Sequence, residues 1–534
     1  MARLLNRLLT VLLVIVGFGS VWFAFRGVWA AGVHWDAGID STAAIQSRQV
    51  TPDMTLQDAY DSVIYTSEWY GILVQTLADW LNQQFTGAVD FMSPDARETY
   101  LWQGSINVVI AVLGAGGLGI AVCRTLNSAV AGAFAWALLW TIPLYSGMAH
   151  INFKDIPVAA GLTLLSSGLM LTLKQNRSKT DLVFAYTFGI LGPVLALGSR
   201  GTAWPLLVAI GVAGSLVALM IFGRQHQLRP IIVTTFVWVT GLLAGLSSVW
   251  FLNPLTRIDF MQWLWDAAIM ARSTAAYDGI VRTAGENLRS TDLPAWYVPA
   301  WLAAQLPLLT ILLILAGLVI LIWSWVRPVP GLERASSLSF LPLVFQGVLI
   351  PIGIVLMGST LYGGIRHVLF MAPALVGIAA LTVPVLQTKL LNTRQGTKKV
   401  WAATLTVVTL VPPTLGLITI TQWFPYSYSY VNTIARSLYP DRGWDLDAWG
   451  LSAMEGVLLL QSKGLTTIAV APSDFPAKIV GGMTIEAVTQ ASPREFGYYQ
   501  FIAGDQIPIP PGCQNDFTIE REGQLLGVGA ICRR

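Results

Sequence analysis

Ionisable residues at the ends of long apolar runs are costly in a membrane unless they are paired, hydrated or put to use. Asp36 and Asp40 follow the first apolar run, Lys154 and Asp155 open a later one, Arg200 closes the next, and Arg366 with His367 opens another. The short stretches around them, 149–154, 199–202 and 361–367, hold almost nothing else charged. A carboxylate in such a set can take a proton from a hydroxyl nucleophile, while Arg and Lys neutralise charge on a leaving group. The chemistry this suits is displacement at an anomeric carbon with phosphate departing. Hydroxyls are weak nucleophiles at neutral pH, so an Asp is needed as base, and cationic or metal partners are needed for the phosphate. For any single residue, an interfacial side chain meeting water is an equal reading. The argument for chemistry is the clustering of the set on one face.

The elements that must position these residues are membrane spans. Of the 534 residues, 54% are hydrophobic and only 11% charged, a composition foreign to soluble domains. A net charge of +3 sets nucleic-acid binding aside. High apolar content, glycines without a three-residue period and only three cysteines exclude disordered, collagen-like and disulfide-scaffold chains. Apolar runs near the length that crosses about 30 Å of hydrocarbon fall at 8–27, 105–123, 128–148, 155–173, 182–199, 203–223, 231–251, 300–326, 339–360, 368–387 and 401–421. The first follows Arg3 and Arg7 but is longer than a signal-peptide core, so it reads as a retained span.

Orientation follows from the cations. With the N-terminus inside, the cytoplasmic segments hold Arg3, Arg7, Arg124, Lys174, Arg177, Lys179, Arg224, Arg229, Arg327, Arg334, Lys389, Arg394, Lys398 and Lys399 against Asp181 and Glu333. The segment 32–103 has Arg48 and Arg97 against ten acidic residues, which places it outside. An odd number of spans puts 422–534 outside too. The chain divides into a transmembrane domain, 1–421, with large outer loops at 32–103 and 252–299, and an extracytoplasmic C-terminal domain, 422–534. In the first loop Tyr70, Leu73, Leu77 and Trp80 stand near helical spacing, predicting a helix over Trp69 to Trp80 that lies in the membrane interface as an anchor rather than touching substrate. Phe260, Trp263, Leu264 and Trp265 mark a similar piece in the second loop. The tail mixes short apolar runs such as Thr467 to Val470 with helix-like pieces such as Ser452 to Leu460, which predicts a small α/β domain. Cys513 and Cys532 lie in that tail as a candidate disulfide, with two free thiols as the alternative; Cys123 reads as packed.

No rival catalytic pattern is present: there is no phosphate loop, HExxH, GxSxG or paired CxxC. Gly114 to Gly119 lies inside an apolar run with no preceding strand, so it suits helix packing rather than nucleotide binding. Nucleotide sugars are not normally available outside the cytoplasmic membrane, so a sugar donor there hangs from a lipid. A transporter or flippase of lipid-linked sugars is the competing class. Transporters place ionisable residues near the bilayer midplane, often in two related halves. Here the charges sit at span ends and the halves show no repeat.

His150-Ile151-Asn152-Phe153-Lys154-Asp155-Ile156-Pro157 resembles the Asn-Pro-Lys-Asp-x-Pro signature of bacterial polytopic glycosyltransferases of the GT-C superfamily, related to protein mannosyltransferases and lipid A aminoarabinose transferases. Further matches follow in that family's order. Ser199-Arg200-Gly201 is similar to its Arg-containing loop, and Asp292-Leu293-Pro294-Ala295-Trp296-Tyr297-Val298-Pro299 to its Asp-Leu-Pro-x-x-Tyr-x-Pro segment. Tyr362-Gly363-Gly364-Ile365-Arg366-His367 resembles its Arg-His motif. Phe424-Pro425-Tyr426 with Tyr430 and Asn432, then Asp447-Ala448-Trp449-Gly450, resembles its Pro-Tyr, Tyr-x-Asn and Asp-Tyr-Trp-Gly pattern.

The resemblance implies a mainly α, polytopic membrane protein of GT-C type with about 11 transmembrane helices in the bacterial cytoplasmic membrane. It implies an inverting glycosyltransferase that takes a polyprenyl-phosphate-linked sugar donor and a cell-envelope acceptor, whether glycolipid, polysaccharide or protein. Asp36 then carries the catalytic role, with Asp40 as second candidate. Asp155 is the second carboxylate, orienting the acceptor or a divalent metal cation. Lys154, Arg200, Arg366 and His367 face the donor phosphate, and Asp292, Tyr297 and Tyr362 belong to acceptor or substrate loops. The family's first loop pairs Asp with Glu before a His, whereas His34-Trp35-Asp36-Ala37 has no adjacent Glu. His34 is the substitute ligand available there, and metal-dependent and metal-free sites both stay open.

Overall fold

The computed structural model describes residues 2–34, 36–64, 68–85, 97–272, 278–440, 443–472, 484–485, 495–502 and 508–533. Trp35 of the first-loop motif, and Asp90 and Asp95 of the acidic loop, lie outside the described residues. The chain is a multi-pass membrane protein. Among the described residues ten helices are long and apolar enough to cross a bilayer: Ala2–Ala30, Arg97–Leu126, Asp155–Leu173, Lys179–Ser199, Gly201–Phe222, Leu228–Leu252, Leu308–Val326, Arg334–Leu356, Met371–Asn392 and Lys398–Trp423.

The expected uninterrupted span at 128–148 is instead two helices, Ala129–Trp140 and Pro143–Met148. Pro143, which has no N–H to continue the first helix, opens the second. Twelve residues rise only about 18 Å, yet the pair carries the chain from one end of the bundle to the other. Ser128 Oγ is 2.9 Å from Gln387 Oε1 at one end, and at the other the His150 ring lies where a Cβ on Gly27, near the end of the first helix, would meet it at 2.6 Å. The expected span 300–326 is likewise divided, Tyr297–Gln305 being separated from Leu308–Val326 at Leu306-Pro307.

Every residue of Asp155–Leu173 is buried, so this helix is the axis of the bundle and Asp155 opens it at the centre. Two amphipathic helices flank the same end. In Leu73–Phe85 the residues Val74, Ala78 and Asn82 face inward while Leu77, Trp80 and Phe85 are exposed. In Phe260–Arg272 Trp263 is buried and Met261, Trp265 and Ile269 are exposed. The predicted anchor helix over 69–80 thus begins later, at Leu73, and leaves Trp69 and Tyr70 outside it.

After Trp423 the chain builds a five-stranded sheet in the order Thr484–Ile485, Thr467–Ala471, Glu495–Phe501, Gln524–Arg533, Cys513–Arg521. The first two pairings are parallel and the last two antiparallel. Helix Ser452–Ser462 packs on it through Leu460 and Gly456, the latter having no room for a side chain against Tyr499. Cys513 and Cys532 stand opposite each other on adjacent strands and are joined by a disulfide.

Candidate active site

The cluster is built outward from Asn152. Its Oδ1 accepts the N–H groups of Lys154 at 3.2 Å and Asp155 at 2.8 Å, and its Nδ2 donates to Asp155 Oδ2 at 2.8 Å. This local ring turns the two charged neighbours in different directions. Lys154 Nζ reaches back to the helix Ala37–Gln49, 2.9 Å from Asp40 Oδ1 and 3.7 Å from Asp36 Oδ2. Asp155 Oδ1 meets Arg200 Nη2 at 2.8 Å.

Tyr70 lies under both cations, its ring centre 4.5 Å from Lys154 Nζ and 5.4 Å from the Arg200 guanidinium carbon. Backbone pairing fixes it there. The Gly71 N–H donates to Ser199 O and the Gly201 N–H to Trp69 O, each at 2.8 Å. The chains approach so closely that a Cβ on Gly71 would stand 2.2 Å from the Gly198 carbonyl carbon, so only glycine fits.

Arg366 is presented by a turn with two consecutive left-handed glycines, Gly363 at φ +65° and Gly364 at φ +71°. Tyr297 supports this turn from behind, its hydroxyl donating to Gly364 O at 3.4 Å, and Gln305 Oε1 accepts the Ile365 N–H at 3.2 Å. The Arg366 guanidinium lies between two aromatic faces, 4.2 Å from the Tyr362 ring centre and 4.6 Å from that of Trp449, and Nε donates to Tyr362 O at 3.2 Å. Lys154 and Arg200 are each spoken for by a carboxylate. Among the described residues Arg366 forms no ion pair, although it is 6% exposed.

One cleft of about 320 Å³ opens beside the cluster, lined by Tyr70, Asp155, Arg200, Arg366 and His367 at its polar end and by Trp204, Met270, Ile354 and Phe370 elsewhere. Residues of the amphipathic helix Phe260–Arg272, Ala268 to Ala271 among them, form part of its wall. The two first-loop carboxylates differ in access: the Asp36 side chain is 26% exposed and that of Asp40 3%. They also differ in protonation. Burial pushes the Asp36 carboxyl up, but the charges of Lys154 and then Arg366 outweigh it and hold it below its ordinary value. For Asp40 burial wins, helped by neighbouring Asp36, and the carboxyl is raised. Burial also lowers His34 to about 3, so its imidazole is neutral at physiological pH.

The fit of a divalent cation is poor. Among the described residues no three His, Cys, Asp or Glu side chains converge on one point, and the site carboxylates are already engaged by Lys154, Arg200 and Asn152.

Of the residues singled out in the sequence, Lys154 meets Asp36 and Asp40, Asp155 meets Arg200, Tyr70 lies under both of these cations, and Arg366 lines the same cleft as Asp155 and Arg200, with His367 and Tyr362 in edge-on contact at 4.6 Å beside it. Tyr297 supports the site without lining the cleft. Asp292 does not join it: it is exposed in the turn after the strand Glu286–Arg289 and lines no part of the cleft. Three contributors were not assigned a role from sequence. Tyr70 shared its pattern with the interfacial helix. Asn152 and Trp449 stood inside recognised motifs, which was the only signal for them.

The chain matches no protein-family model and no curated protein. Solved structures do resemble it. ArnT from Cupriavidus metallidurans, in a crystal structure bound to undecaprenyl phosphate, aligns with 14% identity over 97% of each chain at a TM-score of 0.45. The archaeal oligosaccharyltransferase AglB from Archaeoglobus fulgidus, in complex with an inhibitory peptide and a dolichol-phosphate, aligns with 11% identity over 89% of this chain and 64% of its own at a TM-score of 0.48.

Proposed function

We propose that the protein is a GT-C-type glycosyltransferase that moves a sugar from a polyprenyl-phosphate-linked donor to a cell-envelope acceptor on the outer face of the cytoplasmic membrane, with its N-terminus inside and its C-terminal domain outside. The observation that carries this reading is a partly exposed, ionised carboxylate, Asp36, within electrostatic reach of a buried cation, Arg366, that has no described carboxylate at ion-pair distance and lines the polar end of a cleft with an apolar wall. The five sequence motifs support the same reading from an independent direction.

In this mechanism the polyprenyl chain lies along the apolar wall of the cleft and its phosphate meets Arg366, with Arg200 and Lys154 behind. Asp36 accepts the proton of the acceptor hydroxyl as its oxygen attacks the anomeric carbon. The bond from that carbon to the phosphate oxygen breaks, and the electron pair leaves with polyprenyl phosphate, whose growing charge the guanidinium groups stabilise. Attack opposite to departure inverts the anomeric configuration. Lys154 keeps Asp36 ionised, and Asp40 anchors Lys154.

The test is sugar release from polyprenyl-phospho-sugars by the purified chain in detergent. Asp36→Asn is expected to lose about 10²–10⁴-fold in kcat, the range for removal of a general base, with donor binding retained. Asp40→Asn is expected to lose less. A native chain that neither binds nor turns over such lipids, with both variants indistinguishable from it, would overturn the enzyme reading.

A further inference from the structure

The C-terminal domain contributes Trp449 to the cluster, where it sits on Arg366, which among the described residues has no carboxylate within ion-pair distance. Trp449 is 2% exposed, with its ring over the Arg366 guanidinium and an edge-on contact to His34 at 4.8 Å between ring centres. A buried cation stripped of water is strongly disfavoured unless something replaces its solvation. Here the replacement is two aromatic faces: Tyr362 from the same loop and Trp449 from the other domain. Stacking covers the guanidinium's faces and leaves its in-plane N–H edge, the part that bonds phosphate oxygens in pairs.

The loop carrying Trp449 is held rigidly. The buried Asp447 carboxylate accepts the N–H groups of Leu451 at 3.1 Å and Ser452 at 3.2 Å, and also the hydroxyls of Tyr428 and Ser452. Tyr499 from the central strand donates to Ser452 Oγ at 2.7 Å. Gly450 takes φ +69°, and a Cβ there would stand 2.7 Å from the Phe501 ring. The Asp447 N–H to Ile502 O bond at 3.3 Å and the Tyr499 bond to Ser452 tie the loop on both sides of Trp449 to the sheet region.

We propose that Trp449 is a positioning residue for Arg366, and hence that the C-terminal domain completes the phosphate-binding half of the site. This rests on the donor reading above and assigns the domain a part in holding donor.

The experiment uses the full-length chain in detergent and measures equilibrium binding of polyprenyl phosphate without sugar, with kcat for sugar release in parallel. Trp449→Leu keeps an apolar side chain but removes the ring. It is expected to raise the Kd and the donor KM about 10-fold, the scale of a desolvated cation–π contact, and to change kcat at saturating donor by less than about twofold. Trp449→Phe restores a π face and is expected to bind within about threefold of the native chain. Native affinity in Trp449→Leu, or equal weakness in the Leu and Phe variants, would overturn the role of Trp449 alone. Failure of the native chain itself to bind polyprenyl phosphate would overturn the donor reading and this inference together.

Discussion

The helix Lys179–Ser199 carries an ionic cluster at each end, and the two are built on opposite plans. At its start, Ser178 and Asp181 form a capping box, and Arg124 and Lys174 pair with the fully buried Asp181 carboxylate, Lys174 Nζ at 3.5 Å. Most of these partners are close in sequence, Arg124 is 31% exposed, and the described cleft lies at the other end. Each charge has a structural duty: the Asp satisfies helix N–H groups and the cations solvate the Asp. Just past its other end, Arg200 belongs to a cluster drawn from distant segments, almost wholly buried, in which Lys154 takes two carboxylates, Arg366 lies outside ion-pair distance of any described carboxylate, and a cleft opens beside it. Pairing therefore does not separate a structural cluster from a functional one. A buried cation outside ion-pair distance of every described carboxylate, beside a cleft, does.

The comparison can be broken at several points. The largest effect is expected from Lys154→Met, which leaves the buried Asp40 and the partly exposed Asp36 without their cation and costs about 3–5 kcal/mol of stability. Lys154 also lowers the Asp36 pKa, so its removal raises that pKa and the base form requires a higher pH. The acid limb of the kcat/KM profile should move to higher pH in residual activity; an unshifted limb would show that Asp36 is not the titrating base. Next, Arg366→Gln should weaken polyprenyl phosphate binding about 10–100-fold, as expected for loss of a charge-assisted pair, while the thermal midpoint changes little. Unchanged affinity would mean that Arg366 is not the phosphate partner. The smallest effect is expected at the opposite end. Asp181→Ala should cost about 1–2 kcal/mol in unfolding, the scale of a lost cap, with donor affinity and kcat as in the native chain. Lost donor affinity there would erase the distinction between the clusters.

Much of the architecture was legible because burial in a membrane writes itself into composition. Runs of apolar residues near span length located most of the helices, with bounds that miss by up to eight residues, as where the helix from Arg97 was expected from 105. Divided segments were the exception. Pro143 and Pro307 interrupt runs whose hydropathy is continuous, and an apolar count cannot register a missing N–H. The charged members of the site were legible too, since Lys154, Asp155, Arg200 and Arg366 stand out against apolar surroundings. Asp292 was drawn in by the same reasoning through its motif and proved peripheral, because an exposed carboxylate and a site carboxylate look alike in one dimension.

By itself the sequence determined the solvent this protein lives in, the course of its spans and the identity of the charges held at one end, because each follows from the cost of placing a given side chain in hydrocarbon. Only the tertiary structure decided which charges neutralise one another. It set Lys154 against Asp36 and Asp40, and Arg200 against Asp155. It left Arg366 to the rings of Tyr362 and Trp449, and it moved Tyr70 from an expected anchor to the floor of the site. The reason is distance. Electrostatic and cation–π energies fall off over a few ångströms, and those ångströms are set by backbone pairings and glycine contacts between segments far apart in the chain.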